Sequence, residues 1–122
     1  MKPKYKWLQL RNGSGQKIEG SWEDSIPEGW HKAFGREMVD ELNRILEKYN
    51  YTNQYTITQI KEKYGMLRWY DCGIPKKAAK EYDKWLKKYE NLSMVTCVYC
   101  GELATHMTKG WILPVCDGCG DN

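Results

Sequence analysis

Cys97-Val98-Tyr99-Cys100-Gly101 and Cys116-Asp117-Gly118-Cys119-Gly120 decide how the C-terminal end of this chain folds. Two residues inside each pair let a tight turn aim both sulfurs at one point. Fifteen residues between Cys100 and Cys116 match the separation of a four-cysteine zinc site. The glycine after each pair can take a left-handed or open conformation, leaving backbone amides free to hydrogen-bond the thiolates. The expected cofactor is one structural Zn2+ held by Cys97, Cys100, Cys116 and Cys119. Four thiolates close the tetrahedron and leave no position for water or substrate. A four-thiolate iron centre satisfies the same spacing. Leu103–Met107 and Trp111–Val115 flank Lys109-Gly110, which predicts a hairpin and makes the unit a zinc ribbon. The ribbon is poor in apolar residues, so its folding is expected to depend on the metal. His106 reads as a strand residue made redundant by the four cysteines. Cys72 reads as a small buried hydrophobe.

Upstream of the ribbon, apolar residues recur at helical spacing. Phe34, Met38, Leu42, Ile45, Leu46 and Tyr49 share one face of a helix expected from Trp30 to about Asn50. Gly35 weakens its first turn, so the regular part is expected after it. Tyr55–Ile60 and Met66–Tyr70 are rich in β-branched and aromatic residues and predict a hairpin with its tip at Lys63–Gly65. Pro75 suits the start of a second helix running to about Asn91, followed by extended chain over Ser93–Thr96. Near the N-terminus, Tyr5–Leu10 alternates like a short strand, Asn12-Gly13-Ser14-Gly15 signals a turn, and residues 16–28 read as loop. The resulting fold class is α+β: two amphipathic helices, a small antiparallel β-sheet and the ribbon. The expected division is a core domain over 1–95 with the ribbon, 96–122, packed on it.

The second helix carries the strongest hint of a binding surface. At about 100° per residue, Lys76, Lys77, Lys80, Lys84, Lys87 and Lys88 fall on one side, and Ala78, Tyr82, Trp85, Leu86 and Tyr89 on the other. Ordinary exposed faces mix lysine with glutamate. Here Lys76, Lys80, Lys84 and Lys88 stack at i,i+4, where like charges repel by a few tenths of a kcal/mol per pair, that is, roughly 0.2–0.5. A solvated face and a docking face for phosphate or an acidic protein surface both satisfy the pattern.

Bulk composition narrows the function classes. The chain has 122 residues, 41% hydrophobic and 29% charged, which suits one soluble globular unit. No apolar run nears the roughly 18 residues of a membrane helix. The charged start Met1–Trp7 lacks the apolar stretch of a secretory signal, so a cytoplasmic location is expected. The net charge is +3, with the excess in the middle: residues 51–96 hold nine basic and five acidic side chains. No catalytic constellation stands out. The two histidines are far apart, Asn12–Gly15 lacks the lysine and helix of a phosphate loop, and Cys72 with His31 has no orienting third group. The chain is therefore expected not to be an enzyme.

Gly29-Trp30, the stretch Gln59-Ile60-Lys61-Glu62-Lys63-Tyr64-Gly65-Met66-Leu67-Arg68-Trp69-Tyr70, and the cysteine pairs with Gly110-Trp111 between them together resemble a group of small phage and prophage zinc-ribbon proteins. The resemblance spans Gly29 to Cys119. Some small phage zinc proteins of this kind inhibit type II CRISPR nucleases. The resemblance thus implies an anti-CRISPR protein that binds a type II Cas effector directly and hinders target-DNA loading, in the host bacterial cytoplasm. The alternative is a nucleic-acid-binding zinc-ribbon regulator of phage or host genes. Mimicry of DNA is disfavoured, because it needs a strongly acidic surface and the chain is mildly basic.

Overall fold

The computed structural model describes residues 1–120. The last two residues of the span expected for the ribbon lie outside the described residues. In chain order the elements are a 3-10 turn (Lys6–Leu8), β1 (Gln9–Arg11), β2 (Lys17–Ser21), a 3-10 turn (Trp22–Ser25), α1 (Glu28–Trp30), a π turn (His31–Gly35), α2 (Arg36–Lys48), β3 (Ile57–Lys63), β4 (Met66–Asp71), a 3-10 turn (Lys76–Ala78), α3 (Ala79–Met94), β5 (His106–Met107) and β6 (Pro114–Val115). This is an α+β architecture. Its β-structure is divided among three two-stranded antiparallel sheets, β1–β2, β3–β4 and β5–β6.

The two long helices form as their apolar spacing requires. α2 buries Met38, Val39, Leu42, Asn43 and Leu46, and α3 buries Tyr82, Trp85, Tyr89 and Ser93. Regular α-helix resumes only after Gly35, as the weak first turn suggested, but helical backbone already begins at Glu28. α2 stops in a Schellman motif. Asn50 is left-handed at φ 57°, its N–H donates to the Glu47 carbonyl at 3.1 Å, and the Tyr51 N–H donates to the Leu46 carbonyl at 2.8 Å. These two bonds satisfy carbonyls that the helix end would leave open.

Three local expectations are corrected. Tyr5–Leu10 is not a strand throughout, because Trp7 and Leu8 are both buried. A strand would send adjacent side chains to opposite faces, whereas the tight turn seats both in the core. Residues 16–28 are not all loop. β2 escapes notice because Lys17, Ile18 and Glu19 are exposed, which removes the alternation that marks a half-buried strand. Ser93 is not extended but lies in the last turn of α3. Its hydroxyl donates to the Glu90 carbonyl at 2.6 Å and accepts from the Leu67 N–H at 2.9 Å, so the helix end is tied to the β4 edge.

β3 and β4 join through a two-residue turn at Tyr64-Gly65, both left-handed at φ 54° and 81°, with Lys63 opposite Met66. Positive φ at both central residues gives the twist that hairpins need. The inner face of the hairpin packs on α3. Trp69 meets Trp85 edge-on at 5.1 Å between centroids, and the Trp85 indole N–H donates to the Met38 carbonyl at 2.9 Å. At the open end, Tyr55 donates to Asp71 at 2.6 Å, Tyr82 also donates to Asp71, and the Trp69 indole N–H donates to the Tyr55 hydroxyl at 2.8 Å. Every buried polar tip in this corner thereby finds a partner, which makes the polar handles of Trp and Tyr affordable inside a core.

Candidate metal centre

The ribbon begins where α3 ends. Thr96 caps that end, its hydroxyl donating to the Leu92 carbonyl at 2.6 Å, and bridges antiparallel to Leu103. The hairpin expected over 103–115 is real but short: only His106–Met107 and Pro114–Val115 pair. Each Cys-Xaa-Xaa-Cys pair forms a tight knuckle. The Gly101 N–H donates to the Cys97 carbonyl at 3.1 Å, and the Cys119 N–H to the Cys116 carbonyl at 3.2 Å. The ligand atoms of Cys97, Cys100, Cys116 and Cys119 all lie within 4.8 Å of one another, with Cys100 Sγ and Cys116 Sγ 3.6 Å apart. Sulfurs bound at about 2.3 Å around a tetrahedral ion stand roughly 3.8 Å apart, so the four thiols fit the corners of one metal site.

The electrostatics favour a cation at the centre. Burial pushes the Cys97 thiol up, but backbone N–H donors of Cys100, Cys116 and Tyr99 outweigh it and bring the thiol down to about 6. Cys119 goes the other way. Hydrogen bonding with the Cys116 and Cys100 thiols, together with burial, pushes it up to about 12. Sulfurs this close do not all ionise in the absence of a positive charge between them, and a bound cation is what deprotonates such a set outright.

What seats the centre on the core is Gly29. Its N–H donates to the Val98 carbonyl at 2.8 Å. A Cβ on Gly29 would lie 2.1 Å from the Cys97 carbonyl oxygen and 2.8 Å from the Gly101 nitrogen. The first knuckle therefore lies directly on the start of the helical segment. Beside it, the Trp30 indole N–H donates to the Thr96 carbonyl at 2.9 Å. Cys97, Val98 and Val115 belong to the same hydrophobic cluster as Trp30, Met38 and Tyr89. Gly29-Trp30 is visible in the sequence, but its role as the seat is not, because the contact joins residues about seventy positions apart.

Other candidate residues are placed as follows. His106 sits on β5 beside Thr105 Oγ1, at 3.0 Å, and 3.6 Å from Asp117 Oδ1, and it is not in the four-residue cluster. Cys72 is exposed, which corrects the expectation of a buried hydrophobe. It follows the last residue of β4, and its thiol donates to the Thr56 carbonyl at 3.2 Å. His31 instead meets Glu23, Nε2 to Oε2 at 3.0 Å, and Arg36 approaches the same oxygen at 3.7 Å. The Glu23 carboxylate is fully buried and its Oε1 has no hydrogen-bond partner. No local pattern announces this pairing, since Glu23 lies on a short 3-10 turn and His31 on the π turn.

The six lysines Lys76, Lys77, Lys80, Lys84, Lys87 and Lys88 are all exposed, while Ala78, Tyr82, Trp85 and Tyr89 are buried behind them. One of the six is neutralised: Lys88 Nζ lies 2.9 Å from Glu41 Oε1 on α2. Among the described residues the other five form no ion pair. Glu81, on the flank of the face, is held by Lys48 at 2.7 Å and by the Tyr49 hydroxyl. No helix among the described residues is long and apolar enough to cross a membrane. No family model, curated protein or solved structure matches the chain, so its function has to be read from these residues and their geometry.

Proposed function

We propose that the chain is a zinc-stabilised binding protein that inhibits a type II Cas nuclease by docking on it, without turnover of its own. The ion is structural Zn2+, and the docking surface is the lysine face of α3 and the turn before it. The observation that carries this reading is the set of five unpaired lysines on a helix whose other side is locked by Trp85 and Tyr89. The packed helix fixes the spacing of the lysine Cα positions, and the row of charges steers association with an acidic surface, against a cost of about 0.5–1.5 kcal/mol for each lysine side chain that binding immobilises. The nuclease as partner comes from the resemblance to phage zinc-ribbon proteins. An exposed helix face of this size would hinder DNA loading or lobe movement on the effector without imitating DNA.

The test is co-elution of the purified chain with type II effector nucleases, together with a DNA-cleavage assay. Replacing Lys80, Lys84 and Lys87 by Glu preserves the fold, because all three are exposed and none forms an ion pair. Lys88 is avoided, since a glutamate there would face Glu41. The triple variant is expected to bind and inhibit at least tenfold less well, with much of the loss in the association rate at low salt. Undiminished inhibition by a folded triple variant refutes the docking face. Failure to bind any type II effector refutes the partner.

A further inference from the structure

A second surface lies away from α3, on the outward face of the β3–β4 hairpin. Gln59 stands opposite Tyr70, Lys61 opposite Arg68, and Lys63 opposite Met66, and opposed residues project to the same side. The face therefore carries three cations and no carboxylate. Glu62 belongs to the other side, where its Oε2 accepts from the Gly65 N–H at 2.8 Å. Directly opposed like charges destabilise a hairpin, yet Lys61 and Arg68 face each other. None of the three cations forms an ion pair among the described residues. Arg68 Nε is buried without a hydrogen-bond partner.

Aromatic rings interleave with these charges. Lys61 Nζ lies 6.0 Å from the Tyr70 ring centroid, and Lys63 Nζ 5.7 Å from that of Tyr64. Tyr64 is 70% exposed and sits at a left-handed backbone position that bulky residues avoid. The ribbon extends the strip. A Cβ on Gly65 at the hairpin tip would lie 3.4 Å from Met107 Sδ and 3.5 Å from the Ile112 carbonyl oxygen, so the tip abuts the loop that carries Lys109 and Trp111. That loop is braced by the Thr108 N–H donating to the Leu113 carbonyl at 2.9 Å. Trp111 is 76% exposed, whereas the other five tryptophans are between 0% and 9% exposed.

We propose that this strip binds single-stranded nucleic acid, with Lys61, Lys63 and Arg68 against phosphates and Tyr64, Tyr70 and Trp111 stacking on unpaired bases. Cations alternating with exposed aromatic side chains are what a single strand requires. A duplex keeps its bases stacked on each other and has no use for the rings. The inference is independent of nuclease docking, which uses the lysines of α3 and of the turn before it and none of the hairpin residues.

Fluorescence titration with 12-nucleotide oligo-dT, oligo-rU and a blunt duplex tests it. Trp111 is the exposed indole, so single strands are expected to quench a red-shifted component of the emission. Three phosphate contacts predict a log–log salt slope of about −2 and a loss of roughly 20-fold in affinity between 50 and 200 mM salt. Lys61→Gln with Lys63→Gln is expected to flatten the slope by about 1.4, and Trp111→Leu to weaken binding about fivefold or more. Tyr64→Asn relieves the left-handed strain, so it is expected to keep or raise the melting temperature while weakening binding. Equal affinity for dT and rU supports stacking and phosphate contact alone, and preference for rU adds a 2′-hydroxyl contact. Absence of quenching, equal or tighter binding of the duplex, or binding lost only in the Lys80/Lys84/Lys87 variant overturns the proposal.

Discussion

Substituting Gly29 by Ala tests how the metal knuckle is held to the core. In an open helix this change stabilises by about 1 kcal/mol. Here the added Cβ would meet the Cys97 carbonyl oxygen at 2.1 Å, the Val98 carbonyl carbon at 2.6 Å and the Gly101 nitrogen at 2.8 Å. All three are backbone atoms, so no side chain can swing aside. The knuckle must retreat, which puts at risk the 2.8 Å bond from the Gly29 N–H to the Val98 carbonyl. Overpacking of this kind costs about 1–3 kcal/mol, and the hydrogen bond contributes about 1 kcal/mol more. After the helix gain is deducted, a net loss of about 1–3 kcal/mol is expected, or a Tm fall of roughly 4–12 °C. Urea denaturation of metal-loaded protein measures it. Cobalt absorption then shows whether the four-thiolate geometry survives. Gly13→Ala is the control, since nothing lies within 4 Å of its added Cβ, and it is expected to change stability by no more than about 0.5 kcal/mol. A Gly29→Ala protein as stable as wild type would falsify the close-packed seat.

Other expectations concern the metal, the core and acid stability. Elemental analysis is expected to find one zinc per chain, and chelation or Cys116→Ser to lower the melting temperature sharply; metal-free protein melting like the native form contradicts this. Trp69→Ala removes the edge-on contact with Trp85 and the bond to Tyr55, and is expected to cost about 3–5 kcal/mol, read as a lower urea midpoint. Tyr5 and Lys4 hydrogen-bond Asp40 and hold its carboxyl below the usual range. A depressed folded pKa gives stability that is present above the unfolded value, about 3.9, and is lost as pH falls through the folded one. Asp40→Asn is therefore expected to be less stable at neutral pH and to converge with wild type only as pH falls through the depressed folded value; curves that stay parallel into acid argue against the pairing.

Periodicity and spacing made much of this protein legible in advance. The helical faces at Met38, Leu42 and Leu46 and at Tyr82, Trp85 and Tyr89 follow from spacings of three and four, because burial on one side demands them. The four cysteines stand out because each tight pair converges on one point by local geometry alone. The lysine side of α3 follows from the same rotation of 100° per residue. These features are all determined within a turn or a helix, so neighbouring residues suffice to read them.

Contacts between distant segments had to wait for the tertiary structure. β2 carries no apolar alternation, and its pairing with β1 comes from the turn at Asn12, whose side chain accepts from the Ser14 and Gln16 N–H groups. Cys72 looked like core material by residue type, yet its place just after β4 leaves it exposed. Lys88 looked like its neighbours until Glu41 on another helix neutralised it. Glu23, on a 3-10 turn, pairs with His31 at the start of a π turn that no propensity announces. Gly29 precedes the helix expected from Trp30, and only the arrival of Cys97 against it shows why no side chain fits there. Composition and periodicity describe what a segment prefers. Which segment it meets is decided by packing of the whole chain, where a single backbone contact outweighs a local preference of about 1 kcal/mol.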